Sequence, residues 1–138
     1  MLQNQNQELP ILSSLSRGEI AQLKVQLAAA HKGLTVSIPT TEVRFDAIIE
    51  ENGLLSRCQI KYCSRKGTTK EGVLELLLYN KRDNRKPYSK QDIDKLLVYC
   101  PQVDRILSFG PEIFHDKKTI TINLIDPKSK WWWENYKW

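Results

Sequence analysis

Three polar side chains interrupt two short apolar runs in RFDAIIEENGLLSRCQIKYC, residues 44–63: Asp46, Gln59 and Lys61. A core strand would place Val or Leu at such positions. Between the runs lies Asn52-Gly53, a strong two-residue hairpin signal, because a type I′ turn needs φ > 0 at both central residues. With those two residues central, Glu51 faces Leu54, Ile48 faces Arg57 and Asp46 faces Gln59. Directly opposed residues have Cβ atoms roughly 4.5–5.5 Å apart, and side chains alternate between faces. Asp46, Gln59 and Lys61 therefore emerge together on one face, while Phe45, Ala47, Ile49, Cys58, Ile60 and Tyr62 are expected on the other. A carboxylate with neighbouring carbonyl oxygens suits a hard divalent cation such as Mg²⁺. A lysine beside it can position or deprotonate an attacking water, or neutralise charge developing on phosphorus. That combination serves metal-dependent phosphodiester hydrolysis. The plain alternative is a solvated strand face carrying a Lys–Asp pair worth under about 1 kcal/mol.

The surrounding sequence must position this hairpin. Ser16 reads as a helix N-cap, with Glu19 completing a capping box. Ile20, Leu23, Leu27 and Ala30 follow at helical spacing, and Lys32-Gly33 supplies a stop. A helix is expected over 17–32, after a Gln/Asn-rich tail of residues 1–15. Strands are expected over Leu34–Ile38, across the hairpin, and over 72–79, 96–100, 105–109 and 119–125. Ser89 can cap a short helix beginning at Lys90, and residues 131–136 read as a terminal helix or cap. Residues 16–138 form a single domain, since no repeat or second domain is visible. A helix, then strands, then mixed elements point to a mixed α/β (α+β) domain.

Composition narrows the partners. The chain has 138 residues and a net charge of +5, a balance that favours an anionic partner, with nucleic acid the commonest. Lys and Arg cluster in SRKGTTK, residues 64–70, and NKRDNRK, residues 80–86. Cys58, Cys63 and Cys100 are odd in number and lack CxxC spacing, which argues against a disulfide framework or a zinc site; Cys58 and Cys63 read as packing residues. The first ten residues carry neither a basic n-region nor an apolar h-region, and no apolar run approaches the ~18 residues of a membrane span. The expectation is a cytoplasmic protein with reduced thiols and no membrane contact. His31 reads as a helix C-terminal dipole partner, and His115 as exposed and unpartnered. Trp131, Trp132, Trp133, Tyr136 and Trp138 read as core or interface more readily than as base-stacking platforms.

At the hairpin the chain resembles the PD-(D/E)XK nuclease superfamily, in which an Asp near one strand end is followed across a hairpin by acid-X-Lys. Asp46 takes the first position, Gln59 replaces the second acid, and Lys61 is the lysine. The resemblance is closer to small bacterial intron-encoded homing endonucleases, where Gln-X-Lys triplets are common and a helix opens like Arg17-Gly18-Glu19-Ile20-Ala21. Gly33–Pro39, Phe45–Ile49, Tyr88…Asp92-Ile93-Asp94 and Val98–Pro101 look similar as well, so the match covers about residues 17–126. It implies a restriction-endonuclease-like core, a central mixed β-sheet flanked by helices.

That resemblance implies a Mg²⁺-dependent endonuclease on double-stranded DNA, with Mn²⁺ able to substitute. The implied catalytic residues are Asp46, Gln59, Lys61 and Glu19, with the metal held by Asp46, Glu19 and the backbone at Ile60. One departure concerns the helix glutamate, which the pattern would place at Gln22; Glu19, three residues earlier, shares that helix face and also reads as a capping-box residue. Arg44 and Arg57 beside the hairpin, Arg65, Lys66 and Lys70 in the first basic loop, and Lys81, Arg82, Arg85 and Lys86 in the second are the expected DNA contacts. Cutting both strands implies at least a homodimer, and the homing branch implies a long specific target, possible tetramers and a cytoplasmic, nucleoid-associated location. A Holliday junction resolvase-like nuclease, a catalytically silent DNA-binding module and a basic interaction protein are the alternatives.

Overall fold

The computed structural model describes residues 13–64 and 70–138. The expected tail (apart from its last three residues) and the positions Arg65 and Lys66 lie outside the described residues. Helix α1 spans Ser14–His31 and is capped by Ser13, whose side chain accepts from the Ser16 amide at 3.1 Å. Capping by Ser16 is thus corrected. Ser13 can make the same bond, nothing in Ser14-Leu15-Ser16 breaks a helix, and the earlier start gains nearly a full turn. Glu19 then sits inside the helix and has no capping-box role. Gly33, at φ 71°, ends the helix as expected. The face α1 buries carries Ala21, Val25 and Ala29; these small side chains let the helix lie close on the sheet. Leu23 and Leu27 point away, 64% and 55% exposed.

Among the described residues seven strands follow: β1 (Thr35–Ser37), β2 (Ala47–Glu51), β3 (Leu54–Tyr62), β4 (Val73–Leu77), β5 (Lys95–Cys100), β6 (Arg105–Phe109) and β7 (Thr119–Asn123). Five of them form a sheet in the order β1-β2-β3-β5-β6. β3 and β5 run parallel, and the other pairings are antiparallel. The β2–β3 hairpin turns on Asn52 (φ 52°) and Gly53 (φ 79°), with Glu51 opposite Leu54 and Ile48 opposite Arg57. That register is the one the Asn-Gly turn requires.

The fold is mixed α+β with a central mixed sheet and a flanking helix, as a restriction-endonuclease-like core requires. α1 covers one face, packing over Ala47, Ile49, Cys58, Ile60 and Leu97. The opposite face, with Leu96, Val98, Leu107 and Phe109, is covered by Leu74, Leu76, Ile120 and Ile122 of the β4–β7 ribbon. Among the described residues this ribbon, and not a long helix, covers that face. Helix α2 (Pro111–Phe114) is one turn long and buries Phe114.

Of three local expectations, the first two need correction and the third is met. Residues 89–94 form a turn and not a helix: Asp92 and Ile93 amides both reach the Ser89 carbonyl, while Asp94 bonds Arg57 on β3. That cross-chain bond extends the chain into β5 before a helix can form. His115 is partnered, its Nδ1 accepting from the Lys90 amide at 3.1 Å. The C-terminal aromatics serve the core: Trp131, Trp133 and Tyr136 pack on the ribbon side, and Trp138 donates its amide to the Ile106 carbonyl at 3.0 Å. The chain end thereby covers the open edge of β6.

Candidate active site

Asp46 lies just ahead of β2, and its position follows from unequal strand lengths. β3 runs on to Tyr62, while β2 begins at Ala47, opposite Cys58. Beyond Cys58 the edge of β3 has no strand beside it. The Asp46 carboxylate takes that place, its Oδ2 accepting from the Ile60 amide at 2.8 Å. A strand residue's N–H and C=O point to the same side, so the Ile60 carbonyl faces this edge as well. The Asp46 amide meanwhile donates to the Cys58 carbonyl at 2.8 Å, although Cys58 is already the partner of Ala47. Two residues opposing one make a β-bulge, which reverses the side-chain alternation. Phe45 accordingly packs on the ribbon side of the sheet, where the regular alternation had put it on the α1 side. Asp46 itself projects along the sheet edge and not from one face.

Burial raises the Asp46 carboxyl above its ordinary range, against the lowering effects of the Ile60 N–H and the Lys61 charge. Gln59 is only 6% exposed, yet among the described residues its amide has no hydrogen-bond partner. Every fully buried polar side-chain atom of the described residues does have one, so the Gln59 amide must reach the adjoining space. That space is a cavity of about 540 Å³ whose lining includes Glu19, Gln22, Asp46, Gln59, Ile60 and Lys81. A second cavity of about 390 Å³ adjoins it, lined by Arg17, Lys61, Glu75 and others. Ser14, Gly18, Gln59, Ile60 and Asn80 line both. The two form one cleft between the start of α1, the end of β3 and the segment after β4.

Lys61 reaches into the cleft's back wall. Its ammonium donates to the Tyr79 carbonyl at 3.2 Å and to the Tyr88 hydroxyl at 3.4 Å. Burial pushes its pKa down to about 8, with Cys63 and Asp46 acting in the opposite direction. Tyr88 and Asn80 were missed as contributors from sequence. Tyr88 stood in the run that carried the family resemblance, but nothing local tied it to Lys61, twenty-seven positions away. Cys58 is inert packing: burial pushes its thiol up to about 11.

Oxygen donors dominate the cleft: the Asp46 and Glu19 carboxylates, the Gln59 amide and the Ile60 carbonyl. This set fits a hard divalent cation, and the nearly buried, unpartnered Gln59 amide is the kind of group such an ion would satisfy. Among the described residues no cluster of three or more His, Cys, Asp or Glu side chains is poised for a metal. Both Glu19 and Gln22 line the cavity, so the helix supplies an acid although the patterned position is Gln22.

The basic residues divide into two groups. Lys70, Lys81, Arg85 and Lys86 are exposed, and Lys81 borders the cleft. The side chain of Arg82 lies outside what is described. Arg44 and Arg57 are engaged within the protein. Arg44 bonds Asp92 at 2.6 Å and Asp83 at 3.5 Å. Arg57 forks onto Asp94, with Nε–Oδ2 and Nη2–Oδ1 distances both 3.0 Å, and reaches the Gln91 carbonyl at 2.6 Å. Their guanidinium groups fasten the loops that frame the site.

The PD-(D/E)XK endonuclease family model matches residues 12–132. The chain belongs to that family. Among solved structures it is similar to the bacterial homing endonuclease I-Ssp6803I, with TM-score 0.70 and 20% identity, over 92% of this chain and 88% of that one. At that identity the likeness establishes the shared fold. No curated protein matches the sequence. No helix among the described residues is long and apolar enough to cross a membrane.

Proposed function

We propose that the protein is a Mg²⁺-dependent endonuclease that hydrolyses phosphodiester bonds of double-stranded DNA at a specific sequence, with Mn²⁺ able to replace Mg²⁺. The observation that carries this reading is the Asp46 carboxylate, fixed by the Ile60 amide at 2.8 Å in the cavity that Glu19 and Gln59 also line. Asp46, Glu19, the Gln59 amide oxygen and the Ile60 carbonyl would hold the metal, which when bound supplies Lewis-acid activation of water and of the phosphate. The protein's own part is positional and electrostatic. The Ile60 N–H keeps the Asp46 carboxylate aimed into the cleft. Lys61 brings positive charge to where negative charge grows on the attacked phosphate. Lys81 at the cleft border and Lys70, Arg85 and Lys86 beyond it follow the phosphate backbone, with Arg65, Lys66 and Arg82 continuing the two basic loops. Arg44 and Arg57 act indirectly, by bracing those loops.

The described residues of one chain form one such cleft, so a double-strand cut implies at least a homodimer, with a homotetramer the larger alternative. Sequence specificity is favoured by the likeness to a protein described as a homing endonuclease. Such an enzyme would work in the cytoplasm, on nucleoid DNA. The experiment is cleavage of supercoiled plasmid carrying candidate targets, alongside a synthetic four-way junction, in Mg²⁺ and in Ca²⁺. The expected result is discrete linear product in Mg²⁺ only. Preferential cutting of the junction would favour a resolvase, and binding without cutting in either ion would leave a silent DNA-binding module.

A further inference from the structure

We propose that Tyr88 is a positioning residue for Lys61, fixing where the lysine ammonium stands at the back of the cleft. The proposal rests on Lys61 being the lysine of a nuclease site. Tyr88 is 1% exposed and rigidly held: its amide donates to the Leu78 carbonyl at 2.9 Å, and its carbonyl accepts from the Asp116 amide at 3.1 Å. The Lys61 ammonium lies 5.4 Å from the centre of the Tyr88 ring and 3.4 Å from its hydroxyl.

The direction of each hydrogen bond follows from valence. An ammonium has donors only, so the Tyr88 oxygen must accept from Lys61. The hydroxyl hydrogen must therefore go elsewhere, and it goes to Asn80 Oδ1 at 3.1 Å. Asn80 thus sets the hydroxyl rotation that turns a lone pair toward Lys61. With the Tyr79 carbonyl at 3.2 Å as second acceptor, two of the three ammonium hydrogens are committed and one remains for the cleft. A lysine side chain is flexible, and its rotamer freedom is costly to remove at the moment of reaction. Here that ordering is already in place. The wall carrying the relay is also the cleft wall, because Asn80 lines both cavities. A tyrosine serving only to fill the core would need its ring and one partner for its hydroxyl, which Asn80 alone supplies.

The test is Tyr88→Phe, which keeps the ring, with Asn80→Ala as a second variant at an exposed position. Two quantities are measured. The first is the reductive-methylation rate of each lysine in the metal-free protein, followed by mass spectrometry. The second is the single-turnover cleavage rate at saturating DNA, with DNA affinity determined separately. Lys61 should be methylated several-fold faster in Tyr88→Phe, with Lys24 and Lys95 unchanged. Cleavage should fall about tenfold at unaltered affinity, and Asn80→Ala should move both readouts in the same direction by less. General loosening of the fold would speed all three lysines together and would count against the proposal. An unchanged Lys61 rate overturns it, as does a faster Lys61 rate with undiminished cleavage. A wild-type protein that cuts no DNA would sink the nuclease reading instead, and the methylation rates would then decide the clamp by themselves.

Discussion

Gly18→Ala should make the protein more stable and a worse nuclease. Gly18 sits inside α1, and a Cβ built there meets nothing within 4 Å. Neither packing nor an unusual backbone angle asks for glycine. A helix-interior glycine costs about 0.5–1 kcal/mol relative to alanine, and the open surroundings should allow the full gain. For a domain of this size that is a rise of about 2–5 °C in melting midpoint. The cleft argues the opposite effect on cleavage. Gly18 lines both cavities, together with Gln59, Ile60 and Asn80, and the proposed function takes a DNA strand that reaches Asp46 across it. An added methyl would displace that strand by about 1 Å, and a misplacement of this size costs up to about 10²-fold in rate. The assay pairs thermal melts with single-turnover cleavage across a salt series. The variant should melt higher, cut at least tenfold more slowly, and keep the wild-type salt slope, because no cation is lost. Wild-type cleavage would show that the strand does not cross Gly18. A lower melting midpoint would refute the propensity argument.

Other perturbations separate the roles within the site. Lys61→Ala should lower cleavage by about 10²–10³-fold while DNA affinity in a filter-binding assay stays within about twofold. Asp46→Asn should abolish Mn²⁺ binding by isothermal titration. Because burial is the main influence on Asp46 and raises its pKa, its ionised form opposes folding near neutral pH, so the metal-free variant should melt at or above the wild type. Gln59→Glu restores the commoner acid: cleavage should persist and the Mg²⁺ midpoint should fall with the added charge, whereas an unmoved Mg²⁺ titration would mean that Gln59 does not face the metal. Asp94 is held below the usual carboxylate range, chiefly by its hydrogen bonds from Arg57. The stability it adds is therefore present above about pH 4 and lost as pH falls through its folded-state pKa. For a pair with side chains 36% and 42% exposed that contribution is at most about 1 kcal/mol. Asp94→Asn should melt below wild type at pH 6, and the gap should close toward pH 3.

What could be read from sequence was local. The Asn-Gly turn set the hairpin register, since φ > 0 at two adjacent residues admits few sequences, and with the register came Gln59 and Lys61 on one face. The position of Asp46 was legible only in part. The bulge at Asp46-Ala47 contains no glycine to announce it, so the reversal that sends Phe45 to the ribbon side had no sequence signal. The start of α1 was ambiguous because Ser13, Ser14 and Ser16 are all competent caps, and the helix takes the cap that makes it longest. Arg44 and Arg57 looked like free cations because their acids are far along the chain. Asp92 lies 48 residues from Arg44, and Asp94 lies 37 from Arg57.

The same distinction explains how this cleft manages with a glutamine where its family often has an acid. In a regular ladder Asp46 would stand on one face, opposite Gln59, and a second carboxylate there would be its natural companion at the metal. The bulge instead turns Asp46 along the edge, where the Ile60 N–H holds it and the Ile60 carbonyl stands beside it. Negative charge can then come from the opposite wall, where Glu19, relieved of any capping duty by Ser13, faces the same cavity. Gln59 is left to contribute an oxygen without a charge. A neutral group suits a residue only 6% exposed better than a carboxylate would, because burying an ion beside Asp46 without a metal would be costly. On the proposed reading the glutamine is a consistent part of the design: the hairpin would supply one charge and two neutral oxygens to a cation, and the helix would supply the second charge.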